Sequence, residues 1–193
     1  MEKINIGIIG FGFVGSSVAY GFSPQTGFDN AKIRIYDKDT SKSTHSLEEV
    51  LDNSDFIFLS VPTPSNSDGT INISILHSVL SEIDSHGMKD GCIVLVRSTI
   101  TPGTTRGFEE KYKNVTFVFN PEFLTERSAK FDFINQSRFI LGGEPANTRK
   151  VSDLFKTRFG NSTPTIETNF ETAEFIKYMN NCYYATKVSF MNE

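Results

Sequence analysis

The fold of this chain is decided near its amino terminus by the stretch Ile4-Asn5-Ile6-Gly7-Ile8-Ile9-Gly10-Phe11-Gly12-Phe13-Val14-Gly15. An apolar run followed by glycines spaced as Gly-x-Gly-x-x-Gly predicts a buried strand, a tight turn and a helix. Gly10 permits the turn, Gly12 leaves room for a diphosphate, and Gly15 lets helix and strand pack closely. The unpaired N–H groups that begin such a helix favour an anion, so the stretch predicts a dinucleotide site.

A second apolar run, Ala31 to Tyr36, predicts the next strand, and Asp37 stands at its carboxyl end. A carboxylate about twenty residues beyond the glycines binds ribose hydroxyls and repels a 2′-phosphate. NAD is therefore the expected cofactor. Lys38 and Lys42 lie close by, so NADP stays open as an alternative, and Lys42 is included among the expected cofactor contacts.

Composition excludes several classes of protein. The chain has 193 residues, a net charge of −4 and a pI near 5.5, so it has room for one domain plus a remainder. No long basic tract favours nucleic acid or an anionic membrane surface. The early apolar stretch is broken by glycines, which argues against a signal peptide or a membrane span. Cys92 and Cys182 have no disulfide or CxxC spacing, which fits a reducing cytoplasm, and His45, His77 and His86 have no metal-ligand spacing.

Beyond Asp37, strand-like apolar runs alternate with helical patterns. Strands are predicted at 55–61, 92–96, 115–119 and 138–141, and helices after Ser46, between Ile73 and Gly87, after Gly103 and through Val151. This alternation predicts an α/β fold, a doubly wound parallel sheet of the Rossmann type. From Glu171 a long helical pattern contains no Gly or Pro, so residues 1–167 are predicted to form the NAD-binding domain and residues 168–193 to begin a second, helical one.

The predicted site lies at the carboxyl ends of the strands, where open parallel sheets bind ligands. Thr63 and Thr99 would offer hydroxyls there to ribose or substrate. Glu122 and Glu126 would share one face if their stretch is helical, so that one carboxylate acts as base and the other positions a ligand. An equal alternative is that both are solvated surface acids.

Several short motifs of this chain occur in the same order as in a known protein family. They are Gly10 to Gly15, Val61-Pro62-Thr63-Pro64 with Asp68-Gly69, Ser98-Thr99 with Pro102-Gly103-Thr104, Asn120-Pro121-Glu122-Phe123-Leu124-Thr125-Glu126, and Ala173-Glu174-Phe175-Ile176-Lys177 to Asn181. With them the chain resembles the UDP-glucose/GDP-mannose dehydrogenase family. The resemblance implies oxidation of the C6 alcohol of a nucleotide sugar to a carboxylate, in two hydride transfers to NAD, through an enzyme-bound thiohemiacetal and thioester.

The resemblance also implies residue roles. Thr63 and Thr99 would contact NAD or order a water, Glu122 would act as base, Lys177 would stabilise an oxyanion, and Asn181 would hold the water or substrate. The implied catalytic residues are Thr99, Glu122, Lys177 and Asn181. The expected cofactor contacts are Gly10, Phe11, Gly12, Phe13, Val14, Gly15, Asp37, Lys42, Val61, Thr63, Pro64, Ser98, Thr99 and Glu126. The expected substrate contacts are Glu122, Phe123, Leu124, Glu126, Lys177 and Asn181.

Three departures from the family pattern affect these expectations. The family's nucleophilic cysteine, in a Gly-x-Cys-x-Pro-Lys-Asp run, has no counterpart here, since Cys92 is predicted to be a core residue and Cys182 a packing residue. We therefore expect NAD binding without complete turnover. The interval from Asp37 to Val61 is shorter than is usual, which leaves the adenine-side contacts open. Arg127 stands where many members have Gly.

The sequence thus predicts the NAD-binding part of a cytoplasmic nucleotide-sugar dehydrogenase, with UDP-glucose favoured by residues 138–142. The helix after Glu171 predicts a homodimer of the intact enzyme, because in the family this helix joins the two halves and pairs with its symmetry mate. One alternative is a non-catalytic NAD-binding module that pairs with another chain. Another is a relative of 6-phosphogluconate or 3-hydroxyacid dehydrogenases, against which residues 120–126 argue.

Overall fold

The computed structural model describes residues 3–193, so Met1 and Glu2 lie outside the described residues. The strands are β1 Ile4–Ile9, β2 Ala31–Tyr36, β3 Phe56–Leu59, β4 Ile93–Val96, β5 Phe117–Phe119, β6 Phe139–Gly142 and β7 Thr165–Thr168. The helices are α1 Phe13–Gly21, α2 Leu47–Asn53, α3 Ser74–His86, α4 Thr104–Lys111, α5 Ala129–Ile134, α6 Pro145–Phe159 and α7 Phe170–Asn192. Short 3₁₀ turns lie at Pro24–Thr26 and Thr40–Lys42.

The strands form one sheet in the order β2-β1-β3-β4-β5-β6-β7. The pairs from β2 through β5 are parallel and helices cover both faces, which confirms the predicted doubly wound α/β fold. One pair departs from a wholly parallel sheet, because Phe119 of β5 pairs with Gly142 of β6 in the antiparallel sense. The connection through α5 therefore brings β6 back from the carboxyl edge, and β7 then pairs with β6 in parallel.

Local signals placed several element ends correctly. Ser46 caps α2 as predicted: its Oγ accepts from the Glu49 N–H at 3.2 Å, and Glu49 Oε2 accepts from the Ser46 N–H at 2.8 Å. Gly87, at φ +87°, ends α3. The sequence did not predict α5 or β7. α5 has only six residues, and β7 is half-exposed with little apolar character, so neither carries a clear periodic pattern.

The second strand is an edge strand. In the common doubly wound order, 3-2-1-4-5-6, another strand lies outside the second one. Here the chain leaves β2 through Thr40–Lys42 and α2 and returns as β3 on the other side of β1. The short interval noted between Asp37 and Val61 therefore corresponds to the helix and strand that would lie outside β2 in the common order and that this chain lacks.

The core lies on both faces of the sheet. Helices α2, α3, α4 and the start of α7 cover one face, and α1, α5 and α6 cover the other. Adjacent residues of β4 show the alternation, since Val94 belongs to the first face and Leu95 to the second, and both are fully buried. Each such side chain contributes roughly 1.5–3 kcal/mol by burial. This rigid sheet fixes the residues that follow the strands at its carboxyl edge.

Helix α7 begins as predicted and changes character along its length. Asn169 caps it, with Oδ1 accepting from the Thr172 N–H at 2.8 Å. Its first turns bury Phe170, Ala173, Glu174 and Lys177 against the body, whereas residues 181–193 are all exposed. The first half of α7 is therefore part of the sheet domain's packing, and a domain boundary near residue 167 stays a prediction.

Candidate cofactor and active site

The glycine turn after β1 has the backbone geometry that a diphosphate needs. Gly10 has φ +91°, and a Cβ there would lie 2.7 Å from the Ser60 carbonyl oxygen. A Cβ on Gly15 would lie 2.0 Å from the Gly10 oxygen, so only glycine allows this approach of α1 to the turn. A Cβ on Gly12 would meet no atom within 4 Å. The space above Gly12, at the start of α1, is open to an anion.

Asp37 faces this turn. Its Oδ2 accepts from the Phe11 N–H at 2.6 Å and its Oδ1 from the Asp39 N–H at 2.9 Å, while its own N–H donates to Ser43 Oγ at 2.8 Å. A carboxylate offers about four acceptor sites, so both oxygens keep lone pairs for ribose hydroxyls. Lys42 is exposed and pairs with Asp39, Nζ to Oδ2, at 3.4 Å.

A pocket of about 240 Å³ joins the ends of β1, β3, β4 and β5. It brings together predicted residues from separate parts of the chain and adds some that were not predicted. Its lining consists of Gly12, Phe13, Val14, Ser60, Val61, Pro62, Thr63, Arg97, Ser98, Thr99 and Glu122. The expected convergence of several strand ends on one cavity is therefore present in the geometry.

Two hydroxyls tie the loops of this pocket together. Thr63 Oγ1 donates to the Thr99 carbonyl oxygen at 2.9 Å, and Ser98 Oγ donates to the Val61 carbonyl oxygen at 2.6 Å. Both hydroxyl protons are thus engaged with the backbone. Toward a ligand these two side chains act as acceptors, and they hold the loops after β3 and β4 at a fixed spacing.

Glu122 and Lys177 form a buried ion pair beside the pocket. Lys177 Nζ lies 2.7 Å from Glu122 Oε1 and also donates to the Glu122 carbonyl oxygen. Glu122 Oε2 accepts from the Leu124 N–H at 2.7 Å. The two residues are 8% and 3% exposed, and burial lowers the pKa of Lys177, an effect that the Glu122 charge opposes. Two charges held this far from water interact strongly.

Other predicted residues lie outside this constellation. Residues 120–128 form no helix, since α5 begins only at Ala129, so the condition under which Glu122 and Glu126 would share a helical face is not met. Glu126 and Pro64 are exposed. Asn181 lies one turn beyond Lys177 on α7 but is also exposed. Phe123 and Leu124 are half-buried, and the Phe123 ring centroid lies 5.4 Å from Lys177 Nζ.

The two cysteines differ. Cys92 is buried at the start of β4, and burial raises the pKa of its thiol to about 12, as expected for a core residue. Cys182 is exposed on α7, so within the described residues it is not the packing residue that the sequence predicts. Neither thiol lines the pocket. No group of three or more His, Cys, Asp or Glu side chains within residues 3–193 is arranged to hold a metal ion.

The sequence did not identify two charged residues near the site. Glu174 is fully buried and accepts from the N–H groups of Gly103 at 2.6 Å and Thr105 at 2.8 Å, so a side chain of α7 caps α4. Burial raises its pKa. Arg97 is 2% exposed and donates to Asn120 Oδ1. The signal in the sequence that could have identified Arg97 and Glu174 was a single charged residue directly after or within an apolar run.

Comparison with known proteins agrees with this geometry. A model of the UDP-glucose/GDP-mannose dehydrogenase family, NAD binding domain, matches residues 30–158. UDP-glucose 6-dehydrogenase of Rickettsia bellii is 30% identical over 88% of this chain and 40% of its own length. An uncharacterized protein of Methanocaldococcus jannaschii, MJ1054, is 35% identical over 98% of this chain and 25% of its own length.

Solved structures show the same relationship. A GDP-mannose dehydrogenase from Pseudomonas aeruginosa superposes with a TM-score of 0.79 at 25% identity, over 97% of this chain and 51% of that one. A UDP-glucose dehydrogenase from Pyrobaculum islandicum gives 0.80 at 25% identity, over 98% and 51%. A 3-hydroxyisobutyrate dehydrogenase from Mycobacterium tuberculosis, at 14% identity and a TM-score of 0.71, shares the fold alone.

The chain spans between 25% and about half of the length of the relatives it matches. The alignment with the Rickettsia typhi enzyme runs over 227 positions, more than the 193 residues of this chain, so the relative carries insertions. No helix in the described part of the chain is long and apolar enough to cross a membrane. On the match over residues 30–158 and the shared fold, this chain belongs to the UDP-glucose/GDP-mannose dehydrogenase family and contains its NAD-binding domain.

Proposed function

We propose that this chain is the cofactor-binding part of a nucleotide-sugar 6-dehydrogenase that oxidises UDP-glucose to UDP-glucuronate. The observation that carries the proposal is the buried pair of Glu122 and Lys177, which borders the same pocket as Gly12 and Thr99. Bound NAD supplies the hydride acceptor. The residues of the chain bind, orient and exchange protons around it.

The cofactor half of the proposal uses the glycine turn. The N–H groups at the start of α1 would hold the diphosphate in the open space at Gly12, and Asp37, which also accepts from the Phe11 N–H, would accept from the ribose hydroxyls. Six of the remaining expected contacts line the pocket, namely Phe13, Val14, Val61, Thr63, Ser98 and Thr99. The other expected contacts, Phe11 and the exposed Lys42, Pro64 and Glu126, lie outside its lining.

The catalytic half uses the buried pair. A Lys ammonium has three N–H donors, and Lys177 uses two of them on Glu122, which leaves the third for an oxyanion of the substrate. Glu122 then serves as base, with Thr99 and Asn181 positioning water or sugar and Phe123 and Leu124 forming the substrate side. Low exposure of the pair supports this assignment, because charge stabilisation is stronger away from water.

The thiol that the family's chemistry requires comes, in this proposal, from polypeptide outside the 193 residues, either farther along the same protein or on a second chain. Cys92 is buried with a raised pKa and Cys182 lies away from the pocket, so neither supplies a thiolate there. The free thiols fit a reducing cytoplasm. With NAD and UDP-glucose, the 193-residue protein is expected to give no sustained NADH, and steady production would contradict this assignment.

The second half of α7 is proposed to begin the helical domain and to pair with its symmetry mate in a homodimer. From Phe175 onward, helix α7 exposes large apolar side chains on much of its length, namely Phe175, Met179, Tyr183, Tyr184, Val188, Phe190 and Met191. Such a surface marks an interaction site. Light scattering is expected to show a dimer of the 193-residue protein, and a monomer at all accessible concentrations would contradict the proposal for this piece.

Calorimetric titration tests the cofactor assignment. The wild-type protein is expected to bind NAD at least about tenfold more tightly than NADP, because the Asp37 carboxylate repels a 2′-phosphate. Equal affinity for the two, or tighter NADP binding through Lys38 and Lys42, would contradict the proposed specificity. Absence of binding to either would contradict the proposed site.

A further inference from the structure

Arg97 places a buried positive charge under the cofactor pocket. It directly follows β4, is 2% exposed, and lines the pocket beside Gly12 and Val14. Nη1 donates to Asn120 Oδ1, and the guanidinium carbon lies 6.0 Å from the Phe58 ring centroid and 5.6 Å from that of Phe133. Nε and Nη2 have no hydrogen-bond partner among the described residues.

This arrangement is costly for the protein without ligand. Glu122, the carboxylate that most affects Arg97, is already engaged by Lys177 and by the Leu124 N–H. Burial lowers the pKa of Arg97 to about 10, so the guanidinium stays charged at neutral pH. A buried charge with unsatisfied donors destabilises a fold, and an apolar residue of similar size often replaces one without loss. A residue that lowers the stability of the fold in this way is typical of a functional site.

The glycine turn has no positively charged side chain, whereas Arg97 supplies one at the pocket. Residues 10–15 include no basic side chain, so the only positive potential in the turn itself comes from the N–H groups at the start of α1. We propose that Arg97 is the buried counter-charge for the cofactor's diphosphate, acting from the floor of the pocket through its permanent charge. This inference rests on the proposed placement of NAD above Gly12.

The competing explanation is purely structural: Arg97 would be kept for its bond to Asn120 and its contacts with the two phenylalanine rings. The two explanations differ in what happens to stability. If Arg97 serves the ligand, Arg97→Met leaves the ligand-free protein at least as stable as wild type. If it serves the core, the same change lowers the melting temperature.

The test measures the melting temperature and the affinity for NAD and for ADP-ribose, which share the diphosphate but not the nicotinamide. Arg97→Met is expected to weaken both ligands by a similar factor, roughly 10- to 100-fold for a charge acting across a pocket wall, with an unchanged or higher melting temperature. Arg97→Lys keeps the charge and is expected to stay within about fivefold of wild type.

Arg34 is the matched control. It is also buried, but it bonds Asn5 Oδ1 and the Asn53 carbonyl oxygen at the opposite edge of the sheet, each at 3.2 Å. Arg34→Met is expected to lower the melting temperature and leave both affinities unchanged. The inference is overturned if Arg97→Met binds like wild type, fails to fold, or loses NAD but not ADP-ribose. Wild-type protein that binds neither ligand would instead overturn the proposed function.

Discussion

The two ends of the proposed cofactor site are built differently. At the first end, three charged residues are almost fully buried: Arg97 directly after β4, Glu122 after β5, and Lys177, which reaches Glu122 from α7. At the end of β2, Asp37 is half-buried on an edge strand and is held by backbone N–H groups, with only exposed charges around it. In the proposed function, the residues at the ends of β4 and β5 take part in the chemistry, whereas Asp37 at the end of β2 only binds the cofactor. We infer that this chain holds the buried charged residues of the first end without the thiol that the family's chemistry requires, and holds the adenine end in reduced form.

The largest effect is expected at the buried end, from Lys177→Met. This change leaves Glu122 charged and unpaired in the interior, which costs about 3–5 kcal/mol of unfolding free energy. Urea denaturation measures it. The matched control is Lys89→Met, because Lys89 pairs with Asp55 at 2.6 Å but is 42% exposed. A loss within about 1 kcal/mol is expected there, and equal losses for the two variants would contradict the strong interaction inferred for the buried pair.

At the adenine end, Asp37→Asn is expected to weaken NAD about tenfold, because a neutral amide binds ribose hydroxyls less strongly than a carboxylate does. It should also narrow the preference for NAD over NADP. Calorimetry of both nucleotides measures each effect. An unchanged NAD affinity would mean that the ribose does not reach Asp37.

Glu174, which lies three residues before Lys177 on α7 and caps α4, gives the stability of the protein a pH dependence. Its pKa in the folded protein is raised by burial above the 4.5 of an ordinary glutamate. As the pH falls, the folded state therefore binds the proton first, and this residue's contribution to stability rises until the pH is below 4.5. Other carboxylates, such as Asp55 and Asp132, have lowered pKa values and lose stability as the pH falls, so the Glu174 contribution is measured as the difference in unfolding free energy between wild type and Glu174→Gln. This difference should shift in favour of wild type as the pH falls, and parallel curves would contradict the assignment.

The smallest effect is expected from Lys42→Ala. Lys42 is exposed and its 3.4 Å contact with Asp39 is a surface ion pair, so NAD affinity should change by less than about threefold. The difference is best measured at low ionic strength, where surface charges are least screened. A larger loss would show that the adenine end is more extensive than its surface charges suggest.

Local sequence signals predicted much of the fold. The glycine turn, the Ser46 cap and the Gly87 stop each depend on residues within a few positions, and the structure confirms all three. The reversal of β6 and the short α5 leave no periodic trace, since direction in a sheet is set by tertiary packing. The helical spacing of Glu122 and Glu126 was misleading, because spacing says nothing where no helix forms.

The candidate site was predictable to a similar extent. Strand ends identified Thr63, Thr99 and Glu122, since the carboxyl edge of a parallel sheet collects ligand-binding residues. Arg97 and Glu174 were missed. Their partners lie 23 and about 70 positions away in the chain, and a single charged letter after or within an apolar run does not reveal them.

Gly12→Val is the most informative single change, because the proposed site places a dinucleotide diphosphate above Gly12. A Cβ on Gly12 meets no protein atom within 4 Å and its φ of −79° suits any residue, so the variant should fold with a nearly unchanged melting temperature. The control, Gly107→Ala in α4, adds a methyl group that also meets no atom within 4 Å. Calorimetric titration with NAD should show binding lost in Gly12→Val and kept in Gly107→Ala. Wild-type affinity in a folded Gly12→Val protein would contradict the account.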